Sequence, residues 1–216
     1  MKSILIVGAG KFGGMIARRL AEFNCEVMVI DTDEQAINRI LPYVSNAIIG
    51  DCTDEEFVET LGVDNYDVCF VSIGNAFQTS LEVTALLKDA GAKHLVSRAS
   101  SDIQSKFLSR IGADEIIYPE KLMATRIATR YASDNIIDFI QLSESDYSIY
   151  ELRVPEEWNG KTLREMNLRK KYNVNIIAVR RNNAILVPDP DEPFDSEDVA
   201  FAIGETPVLQ KLFRIR

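Results

Sequence analysis

The sequence predicts an α/β fold, a doubly wound parallel sheet, followed by a smaller α+β domain. Three observations predict it. Short β-branched runs alternate with segments of helical period from Lys2 to about Tyr118, those runs are mainly apolar without polar alternation, and a glycine-rich turn follows the first of them. A strand without that alternation is buried on both faces, which requires helices on both sides of a parallel sheet.

The strands expected in the first domain are ILIV (4–7), VMVI (27–30), AII (47–49), VCFVS (68–72), HLVSR (94–98) and EIIY (115–118). Helical period marks 13–23, 33–41, 54–61, 76–90 and 101–111, with Asp33, Thr53 and Ser100 as side chains able to cap the helices they precede. After Pro119 the segment KLMATRIATRYASDNIIDFI has Ala124, Ala128 and Ala132 every four positions. That spacing lays a smooth stripe along a helix, where a second helix can approach closely or the home domain can pack. From Ser148 the order becomes strand (IYELRV), short helix (TLREM), strand (NIIAVRR), a turn at Asn182-Asn183, strand (AILV), an acidic loop (PDPDEPFDSED), strand (VAFAIG) and a final helix. Asparagine tolerates the positive φ that a two-residue hairpin turn requires.

Acidic residues outnumber basic ones by 33 to 24, and the net charge of -9 opposes contact with a phosphate backbone, so nucleic acid is excluded as a general partner. No apolar run approaches the roughly 18 residues of a membrane span, which places the chain in the cytoplasm. Cys25, Cys52 and Cys69 have no CxxC spacing and read as core thiols of a reducing compartment.

Gly8, Gly10 and Gly13 form G-x-G-x-x-G between an expected strand and an expected helix. Gly8 permits the tight turn, Gly10 lets the backbone approach a pyrophosphate, and Gly13 allows close helix–strand packing, with the helix N-terminus facing the anion. Asp31 ends the second strand, 21 residues beyond Gly10, where a carboxylate can accept ribose hydroxyls and repel a 2′-phosphate. The first domain is therefore Rossmann-like and binds an adenine nucleotide. Its expected bounds are 1–118, with a helix and linker over 119–146 and the second domain over 147–216.

Further candidates sit at strand C-termini, the ligand side of an open α/β sheet. Phe12 lies in the glycine turn and Thr32 follows Asp31. Asp51 and Cys52 could reach an adenine edge, Ser72, Ile73 and Gly74 follow the fourth strand, and Arg98 could meet a phosphate; capping and solvated charge are the alternatives for these residues. Lys11, inside the turn, suggests an extra phosphate or a facing acid, with a solvated lysine as the alternative. A hydride-transferring enzyme needs a group to move the substrate proton. The single histidine, His94, begins a strand without an obvious acidic partner, and no tyrosine has a lysine four positions on. The balance favours binding without turnover over an NAD-dependent oxidoreductase of a small substrate.

With GAGKFGG (8–14), Asp31, GDCTD (50–54), GADEIIYPEK (112–121) and KYNVNIIAV (171–179) in place, the chain resembles the TrkA/KtrA family of RCK (regulator of potassium conductance) proteins over essentially its whole length. The resemblance implies an RCK N-terminal domain followed by a TrkA-C domain. It also implies a cytoplasmic regulatory subunit, peripheral at the inner face of the membrane, docked as a ring of dimers (octamer or tetramer) on a potassium pore subunit of the TrkH/KtrB type. ATP, ADP, NAD or NADH would bind at the glycine turn, and Glu120 would help hold Mg or Ca between paired nucleotides. The family often has arginine where Lys11 stands; lysine keeps the charge and loses the bidentate fork. In some members the C-terminal domain dimerises around cyclic di-AMP, for which Asn175, Ile176 and Pro188 are the contacts by position. Arg169, Lys170, Lys171, Arg180 and Arg181 bracket that strand.

Overall fold

Six parallel strands, β1 (Ser3–Val7), β2 (Glu26–Asp31), β3 (Asn46–Ile49), β4 (Val68–Val71), β5 (Leu95–Arg98) and β6 (Glu115–Ile117), form one sheet in the order β3-β2-β1-β4-β5-β6. The computed structural model describes residues 1–74, 76–142 and 146–213. Helices α1 (Lys11–Glu22), α2 (Glu34–Ile40), α3 (Glu55–Thr60), α4 (Phe77–Asp89) and α5 (Asp102–Ile111) alternate with the strands. Both faces are covered, as unbroken apolar strands demand. Ile4 and Ile6 of β1 pack with Val27, Val29, Ala17 and Ile37, while Leu5 and Val7 pack with Cys69, Val71, Val83 and Leu95 on the opposite face. The order reverses between β1 and β4, which creates a crevice at their C-terminal ends.

The caps of two helices stand one residue later than the sequence suggests. Asp54, not Thr53, accepts the Glu56 amide at 3.1 Å, while Thr53 bonds back to Asp51. Ser101, not Ser100, accepts the Gln104 amide at 3.2 Å, and Ser100 donates to the Gln104 side chain instead. Asp33 caps α2 as expected.

The chain divides into two compact units, Met1–Glu120 and Lys121–Arg216. Helix α6 (Pro119–Tyr131) ends earlier than its sequence pattern suggests, and NIIDFI supplies strand β7 (Ile136–Gln141) instead of more helix. Strands β7, β8 (Tyr147–Arg153), β9 (Asn175–Arg181), β10 (Ala184–Leu186) and β11 (Val199–Glu205) make an antiparallel sheet in the order β10-β9-β11-β8-β7. Asn182 and Asn183 take φ of 50° and 66°, the left-handed pair that closes the β9–β10 hairpin. Helices α7 (Leu163–Met166), α8 (Leu168–Tyr172) and α9 (Thr206–Leu212) complete the unit. Its core centres on Tyr150, Leu152, Val174, Ala202 and Leu209, with Trp158 against Phe194 and Phe213 at centroid distances of 5.9 and 5.8 Å. Phe194 thus anchors the acidic loop from beneath. Among the described residues no helix is long and apolar enough to cross a membrane.

Candidate functional site

The glycine turn is built by three contacts. Gly8 has φ of 103°, a region open to glycine, and its N–H donates to the Ile30 carbonyl at 2.8 Å. Ser72, buried at the end of β4, donates its hydroxyl to the Gly8 carbonyl at 2.5 Å, tying the two strands of the crevice together. A Cβ at Gly13 would overlap the Gly8 carbonyl and the Ser72 hydroxyl, so α1 can rest against the turn only through a glycine. Gly10 differs: a Cβ there would meet nothing within 4 Å. Packing does not require that glycine, and the space it leaves open faces the crevice.

Asp31 closes the turn from the other side. Its Oδ2 accepts the Ala9 amide at 2.6 Å and its Oδ1 accepts the Asp33 amide at 2.8 Å. Each carboxylate oxygen has two acceptor positions, so one on each remains for a ligand.

A cavity of about 850 Å³ opens above the C-terminal ends of the strands. It is lined by Gly8, Gly10, Lys11, Phe12, Asp31, Thr32, Asp51, Cys52, Ser72, Ile73, Gly74, Arg98 and Glu120, so sequence reasoning and topology converge on one place. Gly13 lies beneath the turn in its packing role. Gly50 of the GDCTD stretch also lines it, as do Val7, Met15, Ala76, Thr79 and Val83, which were not singled out from the sequence. Thr79 and Val83 stand one turn apart on α4, and this spacing is a signal available in the sequence.

Three charged groups around the cavity, Asp51, Arg98 and Glu120, are already partnered in specific ways. Asp51 accepts the Thr53 amide at 2.9 Å and the Thr53 hydroxyl at 2.7 Å, in that order the causes that hold its carboxyl below the ordinary value. Arg98 ion-pairs with Glu120, and its Cζ lies 5.3 Å from the Phe12 ring centroid. Glu120, whose carboxyl is lowered first by its own backbone N–H and then by Arg98, stands in the first turn of α6. No group of three His, Cys, Asp or Glu side chains able to hold a metal ion occurs among the described residues. The Cys52 thiol is pushed up to about 12 by burial, with Asp51 and Asp31 adding to the effect. It stays a neutral wall.

His94 does have an acidic neighbour, contrary to expectation: Nε2 lies 3.6 Å from Glu115. Both residues sit at the N-terminal ends of β5 and β6, at the opposite edge of the sheet from the cavity. In the second unit Asn175 is exposed at the start of β9, Ile176 packs on the core, and Pro188 lines a small cavity of about 160 Å³ with Arg181 and Phe194. The hairpin register, Leu186 opposite Val179, returns the chain toward Asn175 and Ile176. The basic cluster is divided: Arg180 pairs with Glu151 at 2.7 Å and Arg181 with Asp198, while Arg169, Lys170 and Lys171 are exposed on α8.

Comparison with known proteins finds a TrkA-N domain over residues 4–119 and a TrkA-C domain over residues 149–216. Ktr system potassium uptake protein C of Bacillus subtilis (strain 168) is 39% identical over 204 residues, 94% of this chain and 92% of that protein. Ktr system potassium uptake protein A of the same organism is 33% identical over 204 residues, 94% of this chain and 91% of that protein. Among solved structures, a GsuK channel bound to NAD superposes with a TM-score of 0.66 at 18% identity, over 99% of this chain. The chain spans 39% of that channel's length. The Kef CTD of Shewanella denitrificans in AMP-bound form superposes with a TM-score of 0.52 at 20% identity, over 60% of this chain and 79% of that one.

Proposed function

The chain belongs to the TrkA/KtrA family, and from that premise we propose that it reports adenine-nucleotide occupancy of the β1–β4 crevice to a membrane potassium transporter. Its homologues are subunits of Ktr potassium uptake systems. The observation that carries the nucleotide reading is the contrast between Gly13, which packing demands, and Gly10, which it does not. A bare backbone kept open at the N-terminus of α1 suits a phosphate group.

When bound, the nucleotide supplies the negative charge that the turn receives. The chain's own groups divide the rest of the work. The α1 N-terminus and exposed Lys11 face the phosphates, the free acceptor positions of Asp31 take ribose hydroxyls, and Asp31 disfavours a 2′-phosphate by like charge. This selects ATP, ADP or NAD(H) over NADP. The single histidine, His94, lies at the N-terminal end of β5, away from the cavity, and Cys52 is held protonated. The reading requires no catalysis.

A ring of dimers, an octamer or tetramer, fits helix α6, which has no buried residue and exposes Leu122 at 71% and Ile127 at 50%. A second copy would cover them. A divalent cation, Mg or Ca, would need acids from that second copy beside Glu120. In the second unit, the hairpin that turns Pro188 back toward Asn175 and Ile176 supports a cyclic di-AMP contact between copies. The assembly would then sit at the cytoplasmic face of the membrane on a TrkH/KtrB-like pore subunit.

Moving a two-state ring from 1:99 to 99:1 takes about 5.5 kcal/mol. Over eight sites that is roughly 0.7 kcal/mol each if the contributions add, and one charge-assisted hydrogen bond is worth about 1.5–3 kcal/mol. The test is potassium flux in proteoliposomes carrying the pore subunit and this chain, with ATP, ADP, NAD or NADH added. At least one nucleotide changes flux. No response to any of them, together with NADH consumption on carbonyl compounds, would replace this reading with an oxidoreductase.

A further inference from the structure

We propose that Glu120 competes with the phosphate of a bound nucleotide for Arg98, so that the cavity distinguishes phosphorylated adenine ligands from adenosine by exchanging one anion for another. The inference rests on the nucleotide reading above and adds a specificity-determining residue to it.

Arg98 is enclosed on three sides. A Cβ at Gly74 would overlap its Nη1, so the backbone of residue 74 already lies against that edge. Its Nε–H is buried and donates to no described protein atom. The Phe12 ring covers one face. The remaining edge, Nη2, is the one Glu120 occupies. An anion arriving over Gly10 therefore meets a guanidinium whose open edge is taken.

The two partners are held unequally. The Arg98 side chain is 18% exposed and the Glu120 side chain 55%. Arg98 is the stationary cation and Glu120 the partner free to swing into water. At neutral pH the carboxylate stays ionised, so it leaves by displacement and not by protonation. Both groups line the cavity. A phosphate oxygen and a carboxylate crowded onto one N–H edge repel each other, and the ligand with more charge gains the position.

Adenosine brings no anion and leaves the pair intact. ADP must break it, and its affinity is lowered by what the pair is worth. Glu120 is thus a positioning residue that acts through Arg98.

The test is calorimetric titration of adenosine and ADP, with EDTA present to remove any cation, into the wild-type chain and the variants Glu120→Gln, Glu120→Ala, Arg98→Gln and Arg98→Gln/Glu120→Gln. Thermal melts confirm that each is folded, and either Glu120 variant suffices. Removing the carboxylate should tighten ADP about two- to fivefold and leave adenosine unchanged. Arg98→Gln should weaken ADP about tenfold or more, and adding Glu120→Gln to it should change nothing further. Weaker ADP binding in both Glu120 variants, or an equal shift for adenosine, would overturn the exchange. Absence of binding to the wild-type chain would instead remove the nucleotide reading on which it rests.

Discussion

The Asp31 carboxylate accepts the Ala9 amide at 2.6 Å, joining the end of β2 to the middle of the glycine turn. The residue expected to grip a ribose therefore first shapes the turn that faces the phosphates. Binding and local folding share one side chain, and a substitution there acts on both.

Asp31→Ala leaves the Ala9 and Asp33 amides without their acceptor, a loss of about 1–3 kcal/mol in stability. It also removes the ribose acceptor, and affinity for ADP or NAD should fall about tenfold or more. Urea unfolding and titration calorimetry measure the two effects separately. Unchanged affinity would mean that the sugar lies elsewhere.

Gly10→Ala and Gly13→Ala should part company. The new methyl at position 10 meets open space, and the backbone there has φ of -61°, so the melting temperature should hold within about 1 °C while nucleotide affinity drops. At position 13 the methyl meets a carbonyl and a buried hydroxyl, and the cost should be on the order of 1–3 kcal/mol or more. Paired melts and nucleotide titrations of both variants check this. Equal destabilisation would show that Gly10 is also a packing glycine.

The first unit was legible because its signals reinforce one another. Apolar strands, glycine turn and Asp31 each require the others, and the cavity gathers the residues they nominate. The second unit was harder at one strand. In β7 the register shifts between Ile136 and Asp138, so the buried residues are Ile136 and Phe139, three apart. A bulge thus makes a strand read with helical spacing. Helix α8 is bounded by Asn167 and Asn173 at φ of 50° and 55°, and its charged middle, Arg169, Lys170 and Lys171, shows no apolar period. The Arg98–Glu120 contact joins residues 22 positions apart, and no local pattern reports such a pairing.

Thiol labelling should separate the cysteines. Burial holds Cys52 and Cys69 at about 12, whereas Cys25 is half-buried. At pH 8 iodoacetamide should label Cys25 at least about a hundredfold faster than either, since the thiolate is the nucleophile. Peptide mass spectrometry over time gives the rates. Comparable labelling of Cys52 would show that the cavity wall opens.

The acid limit of the second unit should be set in large part by Asp198. This carboxylate is 1% exposed, accepts Arg181 at 2.8 and 2.6 Å, and also accepts the Asp195 amide at 2.9 Å. Arg181 first, and the Asp195 amide after it, hold the Asp198 carboxyl below its ordinary value of 3.8. The unfolded chain then takes up this proton at a higher pH than the folded one. The stabilisation is complete above the unfolded value and is lost as pH falls through the folded one. Asp191, held down by Arg164, and Asp138, held down by Arg126, titrate in the same direction, so the wild-type slope alone does not isolate Asp198. Comparison with Asp198→Asn does. Scanning calorimetry from pH 7 to pH 3 should show the variant destabilised at neutral pH, by about 3–5 kcal/mol if the buried pair is broken outright. The gap between the two proteins should narrow below about pH 4, as the unfolded wild-type chain takes up the proton that the folded carboxylate still resists. A gap that stays constant across that range would mean that Asp198 does not carry its charge into the fold.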